Sequence, residues 1–160
     1  GNWDPAFEYF GKSTARMPVD ACLKCGEIAL SRGHFAQGCA AYGAAQVNPP
    51  QQKLVECGEL NLRAGNFVVG RASYELAKVQ MPRDLVTVCG HEAHRAGRLE
   101  DAWQAFAWAH DSIGLQRVVD SAARNGTLEH RVAIGAAFDL GGVEHQVPLA
   151  FMPQRILSAL

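Results

Sequence analysis

Residues 57–77 read CGELNLRAGNFVVGRASYELA, and this run is one copy of a pattern that returns every 32 residues. Its small pair Cys57-Gly58 matches Cys25-Gly26 before it and Cys89-Gly90 after it. Its turn glycine, Gly65, matches Gly1, Gly33 and Gly97, and the second residue beyond these is Phe67, Trp3, Phe35 or Leu99. Tyr74 matches Phe10, Tyr42 and Phe106, Ala77 matches Ala45 and Ala109, and Pro82 matches Pro18 and Pro50. A period of this length marks stacked supersecondary units, none of which can bury its apolar face alone.

The pattern divides the chain into a half unit at 1–18, full units at 19–50, 51–82 and 83–114, a degenerate unit at 115–142, and a cap or tail at 143–160. Each full unit is expected to hold two helices, A and B, joined at the glycine, because a tight turn needs positive φ. Helix A is expected over about 19–32 and 51–64, and helix B from Phe35 to about Val47 and from Phe67 to about Gln80. The prolines at Pro49-Pro50 and Pro82, and Gly114 in the third unit, are expected to stop the B helices. In the fourth unit Ser121-Ala122 stand in place of Cys-Gly, and the turn at Asn125-Gly126 comes three residues early, so helix A there is expected to be a turn short. No segment alternates with the period of two that a strand requires. The missing first half of the opening unit suggests a piece of a longer solenoid.

Net charge is −1, from 15 basic and 16 acidic residues, and 48% of the chain is hydrophobic. That balance gives no electrostatic footprint for nucleic acid or for an anionic membrane surface. No apolar run approaches the ~18 residues of a membrane span. Five cysteines, set inside helical patterns, fit a reducing, cytoplasmic compartment.

Numbered from Val19, Gln51 and Arg83, each unit carries Cys-Gly at positions seven and eight, Gly at fifteen, a small residue at twenty (Gly38, Gly70, Ala102), an aromatic at twenty-four and Ala at twenty-seven. This resembles the tetratricopeptide repeat (TPR) family over residues 1–114, and weakly to 142. The unit here is 32 residues where that family usually has 34. The resemblance implies an all-α fold, a TPR-like superhelix of antiparallel helix hairpins (an α-solenoid). It also implies that helices A line a concave groove for a peptide or helix. The positions implied for that face are Asp20, Leu23, Glu27, Leu30 and Ser31 in the first unit. Gln52, Val55, Glu59, Leu62 and Arg63 follow in the second, and Asp84, Thr87, His91, His94 and Arg95 in the third. The chaperone-binding subtype clamps a terminal carboxylate with Lys, Asn and Arg. Its matching positions here are Leu23, Glu27, Glu56, Asp84 and Val88, and three carboxylates there would repel that ligand.

Cys22-x-x-Cys25 lacks the βαβ frame of a redox motif, and zinc needs four converging ligands, so the cysteines read as small apolar fillers beside the glycines. His91-Glu92-Ala93-His94 does not have the four-residue histidine spacing of a metalloprotease helix. The two imidazoles would make partner binding pH-sensitive. Gly11-Lys12-Ser13 lacks the earlier glycine and leading strand of a phosphate loop. No nucleophile–base pair stands out. The expectation is therefore a non-enzymatic scaffold without cofactor or metal, binding a protein or peptide partner. The alternative is a structural spacer within a larger solenoid, or a scaffold that self-associates through open repeat ends.

Overall fold

The computed structural model describes residues 18–125. These described residues form seven helices: α1 (Val19–Ser31), α2 (Phe35–Ala44), α3 (Gln51–Arg63), α4 (Phe67–Ala77), α5 (Arg83–Arg95), α6 (Leu99–Ala109) and α7 (Ser112–Asn125). Among the described residues there is no strand, so the fold is all-α. The half unit before Pro18, the second half of the degenerate unit and the tail lie outside the described residues. The starts of α1, α3 and α5, and of α2, α4 and α6, each advance by 32 residues.

The helix boundaries follow from local chemistry, with one correction. The A helices end where expected, at Gly33, Gly65 and Gly97, with φ of +79°, +75° and +75°. The B helices stop earlier than the prolines predict. Gln46, Lys78 and His110, again 32 apart, adopt φ of +56°, +55° and +52° and close the helices there. The next amide then bonds back to the carbonyl of the unit's aromatic residue: Val47 to Tyr42 at 3.1 Å, Val79 to Tyr74 at 3.1 Å, Asp111 to Phe106 at 2.9 Å. This is the six-to-one bond of a Schellman end, made here by residues other than glycine. The prolines open the next helix instead. The carbonyls of Pro18, Pro50 and Pro82 accept the amides of Cys22, Leu54 and Val86 at 3.1 Å each.

The chain folds as two compact units. The first holds α1, α2, α3 as far as Asn61, and α4 from Val68. Gly26 lies under the ring of Tyr42, where a Cβ would come within 2.6 Å of it, and Gly58 lies under Tyr74, with a corresponding distance of 2.8 Å. Leu30, Tyr42, Leu54, Cys57 and Ala77 form the core. Tyr42 thus touches both its own hairpin and the next. Buried Asn61 donates from Nδ2 to the carbonyls of Gly33 and Cys57, both at 2.9 Å, and so ties α3 to the α1–α2 turn. Gln51 Nε2 donates to the carbonyl of Ala77 at 2.9 Å, satisfying the free C-terminal end of α4.

The second unit holds the 62–67 turn, α5, α6 and α7. Its core is Ala93, Leu99, Ala102, Trp103, Phe106, Val118, Val119 and Ala122. Phe106 is held between Gly90 and Gly114. Gly114 is therefore no stop. It lies in the first turn of α7, where its amide donates to Asp111 Oδ1 at 2.9 Å. That cap starts α7 three residues ahead of the 32-residue register, so this helix has 14 residues and is not a turn short. Arg83 Nε donates to the carbonyl of Ala109 at 2.7 Å, repeating the Gln51–Ala77 device. The Gly65 turn rests on α5, and Arg98 Nη2 donates to the carbonyl of Ala64.

Two substitutions test these ends. A Cβ at Gly65 would sit 2.6 Å from the Ala93 amide nitrogen and at a positive φ. Gly65→Ala should therefore lower stability by ~2 kcal/mol or more in urea unfolding. Lys78→Gly should raise it by ~0.5–1 kcal/mol, because the left-handed conformation penalises a Cβ. A loss of stability in Lys78→Gly would contradict the closure described for α4.

Candidate functional site

The candidate residues stand at positions two, five, nine and twelve or thirteen of α1, α3 and α5, of which α5 belongs to the second unit. Asp20, Glu27, Gln52, Arg63, Asp84 and Arg95 are exposed. Leu23, Val55, Glu59, Thr87, His91 and His94 are half-buried. None of these twelve is buried. Two neighbours expected on the face are corrected: Leu30 and Leu62 are both 0% exposed. Leu30 belongs to the core and lies against Gly38, where a Cβ would come within 2.5 Å of it.

In the first unit the face has an apolar centre and charged edges. Leu23 and Val55 pack their inner sides on the core around Tyr42. Lys53 Nζ lies 3.5 Å from Glu27 Oε1 on α1 and 3.4 Å from Glu56 Oε2 on its own helix. Its hydrogen bond to Glu56, and then the Glu56 charge, push the ammonium pKa up. Gln52 Nε2 donates to Glu56 Oε1 at 3.1 Å. Lys53 and Glu56 are the residues that the position-by-position reading left off the face. Their three-residue spacing on one helix was the available signal.

In the second unit the two histidines are engaged with neighbouring helices. The His91 ring meets Phe106 edge-on, with centroids 5.0 Å apart and planes at 71°. His94 Nε2 lies 2.8 Å from Ser121 Oγ on α7. A serine beside an imidazole invites a nucleophilic reading. Ser121, however, stands inside α7, where backbone amides are bound to the preceding turn and cannot form an oxyanion hole. The pair therefore acts as a bond between helices. Thr87 Oγ1 donates back to the carbonyl of Arg83 at 3.1 Å, and Arg95 Nη1 pairs with Glu92 at 2.9 Å.

The cysteines are free thiols; Cys22, Cys25, Cys57 and Cys89 are buried and Cys39 is half-buried. Burial pushes the thiols of Cys25, Cys39 and Cys57 up, aided at Cys25 by Cys22 and at Cys39 by Cys57. At Cys57, the neighbouring Ser73 and Asn61 side chains oppose that rise. Burial, with the Asp101 charge, pushes Cys89 up to about 12. Among the described residues no three His, Cys, Asp or Glu side chains are grouped to hold a metal ion, and no helix is long and apolar enough to cross a membrane.

Because the thiolate is the nucleophile, the buried thiols should resist a water-soluble disulfide reagent in the native chain at pH 8 and react on unfolding. At Cys89 the ordinary value of 9.0 applies only when unfolded, so the unfolded chain loses this proton first as pH rises. The Cys89 contribution to stability should therefore be flat below pH ~8. Between pH ~9 and ~12 it should fall by ~1.4 kcal/mol per pH unit. Rapid native labelling of Cys89 would contradict this. No protein-family model, characterised protein or solved structure matches the chain.

Proposed function

We propose that this chain is a TPR-like solenoid serving as a non-enzymatic protein–protein scaffold, with a peptide or helix bound on the exposed face of its A helices. One observation carries the reading. The residues at positions two, five and nine of these helices all remain open to solvent, while positions four, seven and eight are consumed by the core. Face side chains that keep an open side above the packing are free to serve a partner. Fold alone assigns no ligand, so the weight rests on this exposure together with the 32-residue spacing of the helix starts.

A second reading is a structural spacer or self-assembling scaffold. It is favoured by apolar side chains on and beside the B helices, where Val47, Val68 and Leu76 are 47%, 56% and 49% exposed.

Selection of binders from a displayed peptide library against the full chain separates the two. On the scaffold reading, selected peptides should lose affinity at least tenfold for the variant Asp20→Arg, Glu59→Arg, Arg63→Glu, with an unchanged melting curve. They should keep it for Val68→Ser, Leu76→Ser. The reverse pattern, or concentration-dependent sedimentation abolished by Val68→Ser, Leu76→Ser with no peptide selected, would establish the spacer reading instead.

A further inference from the structure

We infer that the α1–α3 face takes a cationic amphipathic segment, one that places apolar side chains on Leu23 and Val55 and basic side chains against the surrounding carboxylates. This deepens the proposed scaffold function and rests on it. On α1, Leu23 has Asp20 three residues before it and Glu27 four after. On α3, Val55 has Gln52 three before it and Glu59 four after. Residues at these spacings share one helix face. Each helix therefore presents an apolar centre with a carboxylate at one or both ends. Leu23 and Val55 are packed on the same core from beneath and open above.

The charges are unequal. Over Val19–Ser31 and Gln51–Arg63 the two helices carry four carboxylates, on Asp20, Glu27, Glu56 and Glu59, against three cationic groups, on Lys24, Lys53 and Arg63. The face already holds a cation in the required manner. Lys53 sits between a carboxylate of α1 and one of α3, at 3.5 and 3.4 Å. Asp20 and Glu59 stand outside that network. An arriving segment must bring positive charge to complement what remains, and a like-charged one would be repelled.

The test uses the full chain and two labelled synthetic helical peptides of equal length and equal leucine content, one Leu/Lys and one Leu/Glu, with binding read by fluorescence anisotropy. The Leu/Lys peptide should bind about tenfold tighter or more, and its affinity should fall as salt rises. Glu27→Gln with Glu59→Gln should weaken it about tenfold. Lys53→Met, which keeps the stem and releases two carboxylates, should tighten it about threefold or more. A gain of affinity cannot come from misfolding. Glu75→Gln with Glu100→Gln, an equal change of charge elsewhere, should leave affinity unchanged. Equal binding of both peptides overturns the inference, as does an unmoved Lys53→Met, or a loss in the off-face variant as large as in the face variant. If the Leu/Glu peptide binds this face, the charge assignment fails while the scaffold function stands. If library-selected peptides bind the face and the Leu/Lys peptide does not, the inference alone fails.

Discussion

The contact on which the rest depends is a ring laid on a bare backbone. Gly26, Gly58 and Gly90 lie beneath Tyr42, Tyr74 and Phe106, at distances where any Cβ would intrude. That contact sets how closely the two helices of a hairpin approach, and helix spacing depends on the side chains at the crossing. Phe106 carries the constraint furthest, because Gly114 closes on its other side. The cysteine beside each glycine follows from the same geometry. A small, polarisable side chain fills the narrow space next to a ring without pushing the helices apart.

Once the hairpins are so close, their ends fall within reach of one another. The amide beyond each B helix bonds to the carbonyl of the stacked aromatic residue itself, so packing and helix termination share one residue. The last carbonyls of α4 and α6 accept from Gln51 and Arg83, the first residues of the partnering A helices. Arg83 adds a positive charge at the negative end of α6, where the macrodipole favours it. The glycine turns are spent likewise: Gly33 accepts from Asn61, and Gly65 rests on Ala93.

Much of this was legible because an internal repeat prints the same physics several times. Small pairs, aromatics and turn glycines in register gave the helices and their pairing. The ends of the B helices were not legible. Gln46, Lys78 and His110 carry no local sign of a left-handed conformation, and the prolines nearby offered a more obvious stop. Asp111 was overlooked as a cap because the strict period assigned the next start to residue 115. On the face, exposure at positions two, five and nine could be read by register. The pairing of His94 with Ser121 could not, since it joins residues 27 apart through a neighbouring helix.

The repeat also separates what the fold needs from what it leaves free. At positions seven and eight three units hold the same Cys-Gly, because ring and backbone admit little else. At positions two, five and nine they hold Asp, Leu, Glu, then Gln, Val, Glu, then Asp, Thr, His. Packing accounts for part of the difference, since His91 meets Phe106 of its own hairpin while Leu23 and Val55 rest on the core around Tyr42. The direction of change is ordered: an apolar residue edged with carboxylate in the first two units gives way in the third to a hydroxyl and an imidazole already engaged with Phe106. The three A helices thus agree where they meet the ring and differ where their side chains reach solvent.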